Sequence, residues 1–299
     1  MTSPSILVAG ASGLLGSAIT RRLLAEGQSV RAMSRDPDRI QALVALGAEA
    51  ARADLLDTAS LDRACTGIRQ VVSTANNFMG RGASSPLRVD AAGYRNLCGA
   101  MQRAGTDRIV NISAQGIAPD SPVDYFRVKC AVDATIRDSG IAWVLIQPTV
   151  FMDIWVKQII GAGIRDKGIA TLFGDGSSVS NFIAVEDAAA FAARVLADDA
   201  VQNEIIRIGG PSNVSFERVA QLIERRLGVK ARRRHVPVPA LRFGPAFVRP
   251  FNEVAARLMS MGYFTATTDG SFHGWDAAAR RFRVSPMTVE QYVDAHFTP

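Results

Sequence analysis

Cysteine and histidine are scarce in this sequence, with three of each in 299 residues. The cysteines are Cys65, Cys98 and Cys130. Because they are odd in number and form no CxxC pair, we expect no structural disulfides and a reducing compartment. The histidines are far apart in the chain, so no metal site is expected.

Long apolar runs are also lacking. Stretches such as IAWVLI at 141–146 fall far short of the roughly 20 residues that a membrane-spanning helix needs. The N-terminus has no basic segment followed by a long apolar stretch, and SILVAG is typical of a first strand rather than a signal peptide. We therefore expect a cytoplasmic protein without a membrane partner.

The charge balance is basic, with a formal net charge of +6. The densest basic run is RRLGVKARRRH at 225–235. Such runs are usually solvated faces, so we expect no nucleic-acid partner, although an anionic cofactor would also use local positive charge.

Short β-branched runs alternate with helical patterns through the first half. Candidate strands are 5–9, 29–33, 48–53, 70–75, 108–113 and 142–147, and candidate helices are 14–26, 37–46, 58–65, 87–104 and 124–138. This alternation predicts an α/β fold with a doubly wound parallel sheet, whose ligand crevice lies at the carboxyl ends of the strands. We expect a dinucleotide-binding domain over 1–150, with 183–208 returning to it, and a smaller C-terminal substrate lobe over 151–182 and 209–299.

Three glycines lie three residues apart in GASGLLG, where the first strand meets the first helix. A tight turn is one explanation of Gly10, Gly13 and Gly16, and close approach of a phosphate is the other. The strand-to-helix context favours dinucleotide binding. The candidate cofactor residues here are Gly10, Ser12, Gly13, Leu14, Leu15 and Gly16.

The end of the second strand, VRAMSRD, bears on the choice of cofactor. NAD sites carry an acidic residue about 20 residues after the glycines, whereas an arginine accommodates the extra phosphate of NADP. Here Ser34 occupies that place and Arg35 follows. We therefore expect NADP(H) in preference to NAD(H), with Ser34 and Arg35 at the site. Arg31 either assists or pairs with Asp36 or Asp54.

Several motifs together resemble the short-chain dehydrogenase/reductase superfamily, and within it the atypical NmrA-like, NAD(P)H-binding branch. They are GASGLLG at 10–16, Asp54 in RADLLD, NISAQG at 111–116, YFRVKCAVD at 125–133, IQPTVFMD at 146–153 and IGGPSNVSFERVAQLI at 208–223. The resemblance covers nearly the whole chain.

The resemblance extends the predicted cofactor site. It implies that Asp54 meets the adenine edge, although Asp54 could equally cap the helix that follows it. It also implies that Ser73–Ala75 line the adenosine and ribose. The further cofactor residues are Asp54, Leu55, Thr74, Ala75, Lys129 and Pro148.

A second group of residues suggests catalysis. Tyr125 and Lys129 are four apart and share one helical face, and Ser113 ends the fifth strand. The resemblance implies that this set reduces carbonyls. Tyr125 would move the proton, Lys129 would lower the pKa of Tyr125 and bond the nicotinamide ribose, and Ser113 would hold the substrate oxygen.

We therefore expect an NADPH-dependent reductase. Aromatic and methionine residues, among them Phe151, Met152, Trp155, Phe173 and Phe182, are frequent in the C-terminal lobe and would suit a small apolar or aromatic carbonyl, enone or quinone, or form the lobe's core. The alternatives are a non-catalytic NADP(H)-sensing regulatory protein and an epimerase or dehydratase with tightly held cofactor. The expected partner is a small-molecule substrate, and the protein a monomer or homodimer.

Overall fold

The computed structural model describes residues 5–82 and 85–298. The chain divides into two compact units. The first comprises Met1–Ser121, Tyr125–Gln147 and Ala188–Ile206, and the second comprises Pro122–Asp124, Pro148–Asp187 and Arg207–Pro299. The sequence-based domain bounds differ from these at 122–124, 148–150, 183–187 and 207–208.

Strands and helices alternate through the first half, as the sequence predicted. The strands are β1 Ile6–Ala9, β2 Val30–Ser34, β3 Glu49–Arg52, β4 Gln70–Ser73, β5 Arg108–Ile112, β6 Ala142–Pro148, β7 Val150–Phe151, β8 Ile169–Phe173, β9 Val179–Ile183, β10 Glu204–Ile208, β11 Asn213–Ser215 and β12 Arg232–Val236. The α-helices are α1 Leu14–Ala25, α2 Gln41–Ala45, α3 Thr58–Cys65, α4 Pro86–Ala104, α5 Asp124–Arg137, α6 Ala162–Lys167, α7 Val185–Leu196, α8 Phe216–Leu227, α9 Val238–Val248, α10 Glu253–Thr267, α11 Trp275–Phe282 and α12 Val289–His296. A 3₁₀ turn at Pro37–Ile40 precedes α2, and a π-helical segment at Asp153–Gly161 precedes α6.

A seven-stranded sheet organises the first unit, in the order β10-β6-β5-β4-β1-β2-β3. The pairings from β6 through β3 are all parallel. The chain winds outward from β1 in one direction through β2 and β3, and in the other through β4, β5 and β6. The strand order therefore reverses between β1 and β4, and a ligand crevice is expected at their carboxyl ends. The predicted doubly wound α/β fold is confirmed.

Local sequence explains why this sheet forms. Every residue of β1, β4 and β5 is buried, as is typical of the central strands of a parallel sheet, and β1 is apolar throughout. Helix α1 ends at Ala25, and Gly27 follows with φ +78°, a left-handed conformation that suits glycine at a helix end. Large side chains on one side of the sheet form a contiguous core that includes Leu7, Leu61, Leu97 and Met101.

Arg108 ties the returning segment to this sheet. The residue starts β5 and is only 2 % exposed. Its guanidinium donates to the carbonyls of Val195, Leu196, Asp198 and Val201, at 2.7–3.3 Å, and to the Gln70 side chain at 2.6 Å. The chain after α7 is thereby bound to the centre of the first unit.

The second unit contains a three-stranded sheet, β11-β9-β7, and a two-stranded sheet, β12-β8. Ser215 caps α8, since its hydroxyl accepts the Arg218 N–H at 3.1 Å. Met152, Trp155 and Phe182 are buried in the unit's own core. The core explanation of these side chains is therefore correct.

Candidate functional site

The three glycines after β1 occupy different environments. Gly10 has φ +89°, and a Cβ there would lie 2.9 Å from the Ala75 nitrogen. A Cβ at Gly16 would lie 2.2 Å from the Gly10 carbonyl oxygen, so this glycine allows α1 to pack on the turn. A Cβ at Gly13 would meet only the Gly10 oxygen, at 3.3 Å. The protein itself thus requires glycine at 10 and 16, whereas a Cβ at Gly13 would make one tight contact, with the Gly10 oxygen, that a small shift could relieve.

The first turn of α1 is suited to an anion. Gly13 is the N-cap residue, no side chain caps the helix, and its first turn has no acidic residue. The first N–H groups of a helix have no partner within the helix, and the helix dipole adds partial positive charge there. A phosphate at this end would accept those bonds.

A cavity of about 420 Å³ opens in the first unit beside this turn. Nine of the predicted cofactor residues line it, namely Gly10, Ser12, Gly13, Ser34, Arg35, Asp54, Leu55, Thr74 and Ala75. The cavity therefore follows the carboxyl ends of β1, β2 and β4, where the strand order reverses.

The end of β2 brings two cationic side chains to the cavity. Arg35 and Arg39 both line it. Both are exposed, and neither makes a side-chain hydrogen bond or ion pair with any residue that the structure describes. Ser34 is buried, and its hydroxyl donates to the Asp36 carbonyl at 2.8 Å. No acidic side chain stands at position 34 to repel a phosphate.

Arg31 does not join this group. Its Nε donates to Glu49 at 2.6 Å, and its Nη1 donates to the carbonyls of Ala64 and Thr66 at 2.8 Å. The expected alternatives, assistance at the phosphate or pairing with Asp36 or Asp54, are both wrong. The pairing follows from register, because Arg31 lies opposite Glu49 across β2 and β3.

Asp54 is also free of the capping role that the sequence left open. The N-cap of α3 is Asp57, whose carboxylate accepts the Ser60 N–H. Asp54 follows β3, accepts the Leu56 N–H at 2.9 Å and lines the cavity. Its second carboxylate oxygen remains available to a ligand.

Hydrogen bonds hold the two residues that follow β4, Thr74 and Ala75. The Thr74 hydroxyl donates towards the carbonyls of Ala9 and Gly10 at 3.4 and 3.3 Å. The Ala75 carbonyl accepts from the buried Tyr94 hydroxyl at 2.8 Å. These bonds hold the cavity wall in place without using the groups that face the cavity.

Some predicted cofactor residues do not line the cavity. Leu14 is 48 % exposed on the first turn of α1, and Leu15 is half-buried beside it. Gly16 packs against the turn, and Pro148 ends β6 in the second unit. Lys129 lies on α5 and is buried.

One of the predicted catalytic residues, Ser113, belongs to a buried cluster of polar side chains. The Ser113 hydroxyl donates to Asp133 at 2.6 Å, and the Asn111 amide donates to the other oxygen of Asp133 at 3.1 Å. Asn111 in turn accepts from Tyr94 at 3.0 Å. Burial raises the pKa of Asp133, and the bonds from Ser113 and Asn111, with the charge of Lys129, oppose that rise. Ser113 is thus already engaged within the protein.

Tyr125 and Lys129 share the face of α5 that their spacing predicts. The Lys129 ammonium lies 5.8 Å from the centre of the Tyr125 ring and donates to the Ile112 carbonyl at 2.8 Å. Burial lowers the pKa of Lys129, against the opposing charges of Asp133 and Asp90.

The pKa of Tyr125 is shifted in the direction opposite to the one that the sequence suggested. Burial, and then the charge of Asp90, hold the pKa of Tyr125 well above its usual range. The expected lowering by Lys129 is therefore wrong for the protein without a ligand. The Asp90 side chain is buried, and its negative charge disfavours the deprotonated form of Tyr125.

Several cavity residues were missed from the sequence. Asp90, on α4, is 3 % exposed and accepts the Asn77 N–H at 3.0 Å. Phe78 packs edge-to-face on Tyr125, with ring centres 4.9 Å apart. The others are Met33, Arg39, Ala53, Asn76, Asn77, Met79 and Val89. Among these residues, only Arg39 could have been predicted from the sequence, because it is a second cationic residue shortly after β2.

These features fit a dinucleotide. The cavity beside Gly13 suits a pyrophosphate at the α1 N-terminus, and the Arg35 and Arg39 guanidiniums suit a further phosphate. Asp54 and the ends of β3 and β4 bound the far side of the same cavity. No cluster of three or more potential metal ligands occurs within residues 5–82 and 85–298.

Comparison with known proteins establishes the family. The chain matches the NAD(P)H-binding family over residues 10–199 and belongs to it. The match starts at Gly10 and ends beyond α7, so it includes every residue that lines the cavity.

Individual relatives are similar over most of the chain. An NAD(P)H azoreductase from Xenophilus azovorans is 29 % identical over 225 residues, which cover 75 % of this chain and 74 % of the relative. Photosystem II assembly factor Ycf39 from Cyanophora paradoxa is 27 % identical over 79 % of this chain and 73 % of its own length. An NADPH-dependent quinone oxidoreductase from Escherichia coli, solved with NADPH, has the same fold, with a TM-score of 0.79 and 20 % identity over 97 % of this chain and 99 % of that one.

None of the helices among the described residues has the length and apolar character needed to cross a bilayer.

Proposed function

We propose that this protein is an NADPH-dependent reductase of a small apolar or aromatic carbonyl, enone or quinone. The observation that carries the proposal is a single cavity in the first unit. It combines an uncapped helix N-terminus, two unpaired arginines and a wall residue, Phe78, that packs on Tyr125. The azoreductase and quinone oxidoreductase among its relatives support a reductase in general terms.

We place the pyrophosphate over Gly13 and the 2′-phosphate of NADP between Arg35 and Arg39. A guanidinium binds a phosphate bidentately, and these two have no competing partner in the described chain. Asp54 and Ala75 would bound the adenosine, and Lys129 would reach the nicotinamide ribose with the two donors that its bond to Ile112 leaves over. When bound, the reduced cofactor supplies the hydride.

Tyr125 is the proposed proton donor. Its raised pKa keeps the hydroxyl protonated at neutral pH, which suits donation to a carbonyl oxygen that gains negative charge. The hydroxyl makes no hydrogen bond to the described part of the chain. The same property leaves very little of the deprotonated form at neutral pH, so the protein without a ligand holds almost no base for the reverse reaction.

Ser113 has a narrower proposed role than its sequence position suggested. Because its proton points to Asp133, Ser113 can donate to a substrate oxygen only after leaving that carboxylate. We propose that Asp133 positions Ser113 and Asn111 and that Tyr125 carries the proton transfer. We also propose that the chain belongs to the NmrA-like branch of the short-chain dehydrogenases/reductases, on the motifs that contain these residues.

An NADPH-oxidation screen with quinones, enones and ketones tests the proposal. We expect loss of the NADPH absorbance at 340 nm with one equivalent of reduced product, and a much slower reaction with NADH. Failure with every class, in protein shown to bind NADPH, would contradict it.

One observation favours a second candidate, an NADP(H)-sensing regulatory protein. Ser113 is held by Asp133, and one relative is named as an assembly factor rather than an enzyme. A sensor would bind NADPH and NADP⁺ with different affinities and would turn over nothing in the screen. An epimerase or dehydratase would convert a substrate with no net NADPH loss.

A further inference from the structure

The basic run noted in the sequence is part of a longer acid-free segment. From Arg225 to Asn252 the chain contains seven arginines, one lysine and no acidic residue. This segment includes the end of α8, all of β12 and all of α9. None of its residues is among those that line the cavity of the first unit.

Part of this charge is used inside the unit. Arg233 pairs with Glu217 and Glu224 at 2.7–2.8 Å, and Arg226 lies 3.5 Å from Asp294. Arg249 pairs with Asp124 at 2.6 Å. These three arginines are therefore structural.

The remaining cations point to a ligand of opposite charge. Arg225, Lys230, Arg232 and Arg234 are exposed, and none has an ion-pair partner among the residues that the structure describes. Arg232 and Arg234 are two apart on β12, so they share the face opposite to Arg233. Like charges this dense repel one another, and an anionic surface relieves that repulsion.

Helix α9 adds an apolar ridge directly after β12. Phe243 and Phe247 lie one turn apart on the helix, and Phe251 lies in the turn that follows it; they are 58 %, 76 % and 89 % exposed. The opposite side of the helix is buried through Leu241 and Pro245. Single exposed apolar residues are common, but three phenyl rings in one row mark an interaction site.

We infer that α9 and β12 form a peripheral docking surface for a lipid bilayer with anionic headgroups. The three phenylalanines enter the acyl boundary, and the unpaired cations between Arg225 and Arg234 contact the headgroups. Exposed apolar side chains beside a basic segment that contains no acidic residue are the arrangement that interfacial helices use. The contact is peripheral and involves no spanning segment.

Area and charge argue for a bilayer over a second copy of the chain. The exposed phenyl surface amounts to roughly 450 Å², against about 800 Å² per partner in a stable protein interface. A symmetric contact would also bring the same unpaired cations face to face. A bilayer needs neither a larger complementary area nor an acidic partner surface.

Flotation with lipid vesicles tests the inference. We expect the protein to float with vesicles of phosphatidylcholine and phosphatidylglycerol at low salt, and not with phosphatidylcholine alone. The triple variant Phe243→Ser, Phe247→Ser, Phe251→Ser should bind at least tenfold more weakly. The variant Lys230→Gln, Arg232→Gln, Arg234→Gln should lose affinity most strongly at low salt, since headgroup attraction is screened.

Matched controls use the same changes elsewhere. Leu46→Ser with Ile205→Ser removes exposed apolar residues, and Arg63→Gln, Arg137→Gln, Arg207→Gln removes exposed cations. Both should float like the parent. The variant Phe247→Trp should show blue-shifted fluorescence that brominated lipid quenches.

Four outcomes would overturn the inference. The first is no flotation of the folded parent at low salt, and the second is flotation that the phenylalanine variant retains. The third is a concentration-dependent dimer in analytical ultracentrifugation that the phenylalanine variant abolishes, which would assign the ridge to a second copy. Binding of a nucleic-acid duplex with higher affinity than the vesicles would also count against it.

Discussion

Two polar regions of the first unit differ in whether their polar groups have hydrogen-bond partners within the protein. Around the cavity, Arg35, Arg39 and the first N–H groups of α1 have no partner in the described chain. Around Asp133, the side chains of Ser113 and Asn111 are bonded and buried. The first region is arranged to receive a ligand and the second to hold its own geometry. Binding and turnover should therefore respond to different substitutions.

The largest effects should come from the glycine turn. Gly13→Val should abolish NADPH binding while the fold survives, because its side chain enters the cavity that we assign to the pyrophosphate and its Cβ meets only the Gly10 oxygen, at 3.3 Å. Gly16→Val is the contrasting variant and should fail to fold, since its Cβ would lie 2.2 Å from the Gly10 oxygen. Circular dichroism and fluorescence titration with NADPH distinguish the two. A Gly13→Val protein that binds like the parent would show that the glycines form only a turn.

The next effect concerns turnover without binding. Tyr125→Phe should lower kcat by roughly 10²–10⁴ and leave the affinity for NADPH unchanged, because only the proton donor is lost. Tyr94→Phe is the control, since Tyr94 supports the wall from below and its loss should reduce stability more than rate. Lys129→Met should reduce both rate and affinity. If Tyr125→Phe turned over at a near-parental rate, Tyr125 would not be the proton donor. Lys129 would then be the residue left to support catalysis, as in reduction of a carbon–carbon double bond.

A smaller effect should separate the two nicotinamide cofactors. Arg35→Ala should weaken NADPH binding by about 1.5–3 kcal/mol, roughly 10- to 150-fold, and leave NADH binding unchanged. Arg39→Ala should act in the same direction, and Arg63→Ala, on an exposed end of α3, should act on neither. Equal affinities for NADPH and NADH, unaltered in the Arg35 variant, would remove the argument for NADP.

The smallest predicted effect lies in the second unit and depends on pH. Burial raises the pKa of Asp187 to about 6, reinforced by Asp153 and opposed by the Met287 N–H. Because the folded state holds this proton more tightly than the unfolded chain, the stability that Asp187 contributes is present below about pH 4 and is lost as pH rises through 6. Asp187→Asn keeps the bond and removes the charge, so it should stabilise by about 1–2 kcal/mol at pH 7.5. Thermal melts at pH 7.5 and 4.5 should show a clearly larger gain at the higher pH.

The sequence predicted the outward winding of the first unit because strand and helix periods are local properties. The bounds of β1, β2, α1 and α3 lie within two residues of those expected. Capping was harder to assign. Asp54 and Asp57 are chemically identical candidates, and only the folded turn shows that Asp57 accepts the Ser60 N–H.

Long-range pairing was beyond the sequence. Glu49 as the partner of Arg31 depends on strand register, and Asp90 at the cavity depends on how α4 packs. The high pKa of Tyr125 follows from burial and from Asp90, neither of which has a local signature. The nine cavity residues that were found lie directly after strands, where sheet topology alone places them together.

The bonds of Arg108 also bear on the order in which the chain is made. The backbone carbonyls that accept from its guanidinium lie some 90 positions downstream, beyond the first part of the second unit. On the ribosome, this buried cation remains without its carbonyl partners until residue 201 has left the exit tunnel. The central sheet, with β10 at its edge, cannot close before then. A fragment that ends after β6 should therefore be unstable and prone to aggregate, although it contains the entire glycine turn.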